Sequence, residues 1–433
     1  MNIRRQSKTI FLSCSAALAI AAAIQGAYAA DLPSNAVAPA APVPSFALFD
    51  GVEYHAQFEG GIMGNSANPG DSENIGHLYT DRANEPQINQ ALLTITKAVD
   101  PKATGYAFGF TGQALFGSDE RFNHFIGFAD SNITGREQFG VVQAFLAAHL
   151  PWMFAGGVDV KAGLFTSPQG VETLDPSTSP FYSHSYIYNY GVTFNHTGII
   201  TTTHVNSTLD IWLGVDTGNQ TTFGAGDPNG EPAGFVGFGL NGLLDGKLTV
   251  LALSHIGPEQ SPLVDPLGYK SDLRFYNDAD FTYKINDDWT WTTELDYIHD
   301  DFGLAGGGAS GYGATEYLGY AVTKTLTLNL RGEVFRDAQG AFVFNYPGNL
   351  DAVNAVKGLP NTSFNAGPTT YSEFTLGLTY KPDVPKPLAL LSIRPEVRYD
   401  RALSGNTPYD ATAGNIGRTK DQFTFGADVI LGF

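Results

Sequence analysis

The stretch Asp421-Gln422-Phe423-Thr424-Phe425-Gly426-Ala427-Asp428-Val429-Ile430-Leu431-Gly432-Phe433 alternates with a period of two. Phe423, Phe425, Ala427, Val429, Leu431 and Phe433 share one face of a strand, and Thr424, Gly426 and Asp428 share the other. A strand that is apolar on one side, polar on the other and closed by an aromatic residue needs an apolar medium against one face only. Any fold assigned to the chain has to supply it.

The opposite terminus narrows the choice. Arg4, Arg5 and Lys8 precede an apolar run from Ile10 to Ile24, and Ala27-Tyr28-Ala29 stands ahead of Ala30 and Asp31. This is the pattern of a secretory signal peptide over residues 1–29, cut near Ala29. The run is too short for the ~20 residues of a membrane anchor, and Phe11-Leu12-Ser13 is a poor lipobox for Cys14. Cleavage removes the one cysteine of the chain, so a disulfide-stapled secreted domain is excluded. With 24 basic against 43 acidic residues, the formal net charge is −19, which points away from nucleic acid. Pro33, Pro39, Pro42 and Pro44 among alanines make residues 30–50 a loose periplasmic tether, which leaves 51–433 as the folded body.

Past the signal, no stretch is apolar enough for a helical span, yet barrel strands average out in hydropathy because lipid-facing and lumen-facing residues alternate. The 50 glycines, 30 phenylalanines and 20 tyrosines suit that class better than a soluble β-sandwich or lectin. The terminal strand looks like the closing strand of a bacterial outer-membrane barrel, reached with the barrel assembly machinery as partner. The fold expected is all-β, a transmembrane antiparallel up-and-down β-barrel. Long polar connections at about 63–87, 117–138, 167–189, 218–233, 257–271, 301–311, 338–370 and 402–420 alternate with tight turns at about 100–102, 151–157, 201–204, 244–246, 286–288, 323–324 and 382–387. Strand one is about Glu53 to Ile62. The parse gives about sixteen strands, within a range of 12–18, with both ends in the periplasm.

Parity assigns the faces. Leu273, Phe275, Ala279, Phe281, Tyr283 and Ile285 face lipid, and Arg274, Tyr276, Asp278, Asp280, Thr282 and Lys284 face the lumen. The same split recurs over 326–334, 373–380 and 393–400, with charges on the lumen parity. Pore-lining candidates are therefore Asp278, Asp280, Glu294 and Asp296 on one wall and Arg331, Arg394 and Arg398 on another. They would set either a transverse field or, with Glu396 and Asp400 nearby, local ion pairs. Tyr283, Trp289, Trp291, Tyr380 and Phe433 fall at strand ends and form the expected girdle at the periplasmic interface.

A sixteen-stranded barrel is too wide for side chains to fill. The third long loop, Ser167 to Asn189, mixes prolines with aromatics, as an ordered and packed loop does. It is the candidate constriction, with Glu172, Asp175 and His184 as its titratable members; an external loop braced on its neighbours is the alternative. Gly163-Leu164-Phe165-Thr166-Ser167-Pro168-Gln169-Gly170-Val171-Glu172, then Ser179-Pro180-Phe181-Tyr182-Ser183 and Tyr186-Ile187-Tyr188-Asn189-Tyr190-Gly191-Val192-Thr193-Phe194-Asn195-His196-Thr197-Gly198, resembles the OmpL-like β-barrel porin family. The resemblance implies an outer-membrane porin for small hydrophilic solutes, with no catalytic residue to carry over.

Passive diffusion is thus the expected function, with outer-membrane lipid, lipopolysaccharide and small solutes as partners, a homotrimer as a possible assembly, and no enzyme activity or cofactor. The alternative is a structural or adhesive barrel whose loops bind surface polysaccharide or a partner, for which the loop from Ala338 to Thr370 is the feature to watch. Two motifs lapse. Gly237-Phe238-Gly239-Leu240-Asn241-Gly242 matches a dinucleotide fingerprint, but no helix follows to hold a pyrophosphate. His196, His204 and Asp210 have no recognised zinc spacing on one element, so no metal site is expected and the histidines are read as scattered loop and girdle positions.

Overall fold

The structure is a computed structural model describing residues 50–100, 103–302, 307–411 and 418–433. The expected signal peptide, nearly all of the tether, and Pro101 and Lys102 of the first turn lie outside the described residues.

Sixteen antiparallel strands close into one barrel, each paired with its sequence neighbours in the wall. They are β1 Glu53–Asn65, β2 Pro86–Lys97, β3 Ala107–Gly117, β4 Gln138–Leu150, β5 Val158–Thr166, β6 Asn195–His204, β7 Leu209–Asp216 and β8 Gly234–Gly242. The second half is β9 Leu248–Pro258, β10 Leu273–Lys284, β11 Trp289–Asp300, β12 Ala309–Ala321, β13 Leu326–Asp337, β14 Thr369–Tyr380, β15 Leu390–Gly405 and β16 Asp421–Gly432. The up-and-down barrel expected from the alternation of long and short connections is the one observed. The ring closes where Gln57 to Asn65 pair with Gly432 to Thr424. Phe433 extends this seam: its N–H donates to Ala56 O at 2.9 Å, and its carbonyl accepts from Ala56 N at 3.3 Å.

Local chemistry sets the short turns. Asn206 Oδ1 accepts from the amides of Thr208 and Leu209, and Asn286 Oδ1 from those of Asp288 and Trp289, so each side chain closes its own turn. The former fingerprint runs along β8 into the tight turn Leu243–Gly246, where Leu244 and Asp245 are left-handed. It is a strand and its hairpin, with no phosphate cradle.

Period-two patterning puts Leu328, Leu330, Leu376, Leu378, Val397, Val429 and their neighbours outward as an apolar belt, with the alternate residues inward. Trp291, Tyr380 and Phe433 are about half exposed on the outer face at the short-turn end, where Tyr283 pairs with Trp291 and Trp289 stacks on Tyr320 at 4.4 Å. A second set, with Phe139, Tyr297, Tyr312, Tyr399 and Phe423, is exposed toward the long-loop end. Glu316 and Asp421 break the parity: Glu316 points outward and accepts from Trp291 Nε1 at 2.5 Å and Thr293 Oγ1 at 2.7 Å, and Asp421, at the long-loop rim, pairs with Arg401 at 2.6 Å.

The hydrophobic core lies inside the long-loop end of the barrel. Ile75, Leu78 and Tyr79 from the first loop, Phe122 from the second, Tyr186 to Tyr190 from the third, and Val343 and Val353 from the seventh pack with Phe335 and Tyr371 of the wall. The loop following β13 carries a short helix, Asp351–Lys357, and turns inward. Arg121 reaches the carbonyl of Tyr346, Lys357 pairs with Asp130, and Ser261 Oγ donates to Lys357 O. The mouth is capped by its own loops.

The belt predicts a depth-dependent response. Leu376→Arg, mid-strand on the outer face, should cost about 2–4 kcal/mol in reversible urea unfolding from lipid, and Tyr380→Arg at the rim about 0–1 kcal/mol. Equal costs would mean that the outer face does not sit in hydrocarbon as drawn.

Candidate functional site

Side chains that the strand period turns inward have nothing but water or a loop to meet. The segment 167–194, between β5 and β6, supplies the loop. It leaves β5, crosses to β10 and β11, runs past β1 and β2, follows β13 to β15, makes one turn of π-type helix at Ile187–Gly191 and returns to β6. Along this circuit its backbone is held by wall side chains. Gly170 N donates to Asp278 at 3.0 Å and Val171 N to Glu294 at 3.1 Å. Tyr182 N donates to Glu396 at 2.8 Å, and Tyr186 N and Ile187 N donate to Glu333 at 2.6 and 2.8 Å. Buried amides and carboxylates thereby satisfy one another.

The three arginines perform the complementary task for carbonyls. Arg394 grips Asp428 through Nε and Nη2, reaches Glu59 at 2.8 Å, and donates Nη1 to Pro176 O and Ser179 O at 2.7 and 2.9 Å. Arg398 grips Asp400 and donates to His184 O at 2.6 Å. Arg331 bonds Glu373 at 2.6 Å, Glu172 at 2.7 Å and Ser183 O at 2.8 Å, with Phe181 under its guanidinium. Each guanidinium has a wall carboxylate behind it and the loop in front, and all three are buried. The rigid fork of arginine suits this double duty better than lysine would.

Among the three loop residues singled out, Glu172 is the best anchored. Its carboxylate takes Arg331, the His184 Nδ1 at 2.5 Å and the Ser185 amide at 3.3 Å, beside the hydroxyl of Tyr317. Burial alone would raise its pKa, but Arg331 and His184 outweigh that and hold it down to about 2. His184 stacks on Tyr188 at 4.2 Å, and burial lowers its pKa against the pull of Glu172. Asp175 is half-buried and accepts from Gln57 Nε2 at 3.0 Å and from Ser177 N at 2.9 Å.

Asp278, Asp280 and Glu294 converge, with one oxygen of each within 4.8 Å of the others; Asp296, in the same wall, lies against Gly191. Two glycines make room for the loop. A Cβ on Gly61 would meet the Tyr182 ring at 2.6 Å, and one on Gly377 the Phe181 ring at 2.9 Å. Neither seat is marked in the sequence, and the same holds for the amides that Glu333 and Glu396 accept from. Lumen parity was the available signal for the carboxylates, but nothing local marks which inward glycine receives a ring.

The histidines are spread over strands and loops. Each of the nine has a carboxylate oxygen within 4 Å. His196 lies apart from His204 and Asp210: His204 lies with Asp159 and Asp210 at the short-turn end, and His196 meets Asp216 and His255 near the opposite end. Strands β6 and β7 separate the two groups by most of their length.

Three solved structures share this architecture. The outer membrane channel DcaP of Acinetobacter baumannii is 12% identical, with 88% of this chain and 97% of that one covered and a TM-score of 0.52. An anion-selective porin from Comamonas acidovorans is 10% identical over 88% and 99%, with a TM-score of 0.51. OprB of Pseudomonas putida is 12% identical over 89% and 95%, with a TM-score of 0.52. At such identities the likeness is one of fold. No curated protein matches the chain. The family described as "Putative beta-barrel porin-2, OmpL-like" matches residues 51–433, the whole barrel, and the chain belongs to that family of bacterial outer-membrane channels.

Proposed function

We propose that the barrel is a passive diffusion channel for small hydrophilic solutes and that the third loop is its constriction. The observation that carries this reading is the circuit of hydrogen bonds from Gly170 to Ile187, which ties one loop to inward side chains of β10, β11, β13 and β15. A loop held at so many points inside the lumen narrows the path that a solute takes. Glu172, Asp175 and His184 stand on that loop. Asp278, Asp280, Glu294 and Asp296 concentrate buried carboxyl groups on the wall beside it, and whatever fraction of them is ionised favours cations. Arg331, Arg394 and Arg398 are committed to carboxylates and loop carbonyls, so they serve as clamps more than as a free basic wall. The adhesive alternative has less support, because the loop from Ala338 to Thr370 turns inward to cap the mouth.

Single-channel recording tests the constriction. Deleting Glu172 to Ser179 should raise conductance; unchanged conductance in a folded barrel rejects the assignment, and a wild-type barrel without steps above background rejects the channel itself. Reversal potentials under a salt gradient should show cation preference, weakened when Asp280 and Asp296 are both replaced by Asn. A clear anion preference would sink that part.

The pH response of the clamp has a definite sign. A glutamate whose folded pKa of about 2 lies below its unfolded value, about 4.3, contributes stability that is full above the unfolded value. That contribution is lost as pH falls through the folded one. The difference in conductance and channel noise between wild type and Glu172→Gln should therefore stay constant from pH 7 to about 5 and fade only toward about pH 2. A difference that vanishes near pH 6 would mean that Glu172 is not held by Arg331.

A further inference from the structure

A second cluster lies apart from the clamp, in the wall formed by β6, β7 and β9. His196, Asp216 and His255 are fully buried there, and one donor atom of each lies within 4.8 Å of the other two. His196 Nδ1 is 3.4 Å from Asp216 Oδ1, and His255 Nε2 is 3.0 and 3.2 Å from the two oxygens of that carboxylate. Donors placed around tetrahedral zinc at its usual bond lengths are about 3.3–3.5 Å apart.

The proton positions point the same way. Gln169 Nε2 donates to the carbonyls of Leu253 and Tyr276, which turns Gln169 Oε1 toward Thr193. The Thr193 hydroxyl gives its one hydrogen to that oxygen at 2.9 Å. His196 Nε2, 2.9 Å from Thr193 Oγ1, must then be the donor in that contact. In the neutral ring, Nδ1 is left as a bare lone pair, buried without a hydrogen-bond partner and facing a carboxylate oxygen. Two acceptors facing each other in a dry site call for a cation between them. His255 fits the same scheme: its Nδ1 also lacks a hydrogen-bond partner and faces Glu259 Oε1 at 3.7 Å. An Nδ1–H turned to that carboxylate would leave Nε2 free to ligate, the usual second contact of a metal-bound imidazole. The Gly218 amide donates to Asp216 Oδ1 at 2.8 Å and orients it, while Phe165 and Phe235 wall the site.

We propose that His196, Asp216 and His255 form a binding site for a divalent transition metal, with zinc the ion that two imidazoles and one carboxylate suit. Glu259, beside His255, also lines a cavity of about 220 Å³ together with Arg274 and Asp300. The site also has a structural consequence. Gln169 and Thr193 stand at the two ends of the third loop, so the ion braces the loop at its base.

The test uses the full-length refolded barrel, stripped with chelator, incubated with zinc and dialysed. One equivalent of zinc should remain per chain and raise the thermal unfolding midpoint. His196→Gln and His255→Gln should lose both effects, whereas His204→Gln, in the other histidine group, should keep them. No retained zinc, or zinc lost in His204→Gln but kept in the other two, overturns the proposal. Should the His196 and His255 variants fail to fold, cobalt in the wild-type barrel decides: intense visible bands of a tetrahedral ion are expected, and only the pale spectrum of the hydrated ion would refute the site.

Discussion

In a hydrocarbon medium an unpaired strand edge leaves a row of amides and carbonyls with no partner, each at a cost of several kcal/mol, so a membrane sheet must close on itself. Here the closure is the register of Gln57 to Asn65 against Gly432 to Thr424, prolonged by the Phe433 backbone onto Ala56. Once that seam exists, the strand number sets the diameter, and parity sends every second side chain into an interior wider than those side chains can fill. The loop circuit, the clamps and the capped mouth are answers to that surplus volume.

The answer is largely polar. Buried charges are tolerable only when paired and hydrogen-bonded, and around its three arginines the lumen meets the condition by alternating guanidinium, carboxylate and loop backbone. Arg331 shows the arrangement in miniature, with Glu373 from a neighbouring strand, Glu172 from the loop and a loop carbonyl all on one side chain. Nearer the mouth, aromatic and aliphatic residues from several loops complete the filling around Tyr186 and Phe335. Asp278 and Glu294 are held differently, by the loop amides of Gly170 and Val171 and, for Glu294, by the Tyr317 hydroxyl.

Much of the fold was legible because its signals are local. The belt from Leu326 to Val334 and from Phe374 to Tyr380 follows from period two alone, and connections such as 338–370 and 323–324 differ so much in length that the sidedness is plain. The candidate site was legible only in part. Glu172, Asp278 and Arg331 could be assigned to the lumen by loop order and parity, yet their contacts join residues more than a hundred positions apart, for which no local spacing exists. The neighbours of His196 are Asp216 on β7 and His255 on β9, which no spacing within one element could mark.

The sequence by itself determined an antiparallel barrel of about sixteen strands and, through its period of two, the face to which most strand residues belong, since these depend on periodicity and turn chemistry within a few residues. Only the tertiary structure decided that the third loop enters the lumen, that Gly61 and Gly377 seat its rings, that the arginines act as clamps, and that two histidines and an aspartate converge. Those outcomes depend on register and on the interior dimensions of the closed ring, which exist only once strands distant in sequence have been brought side by side.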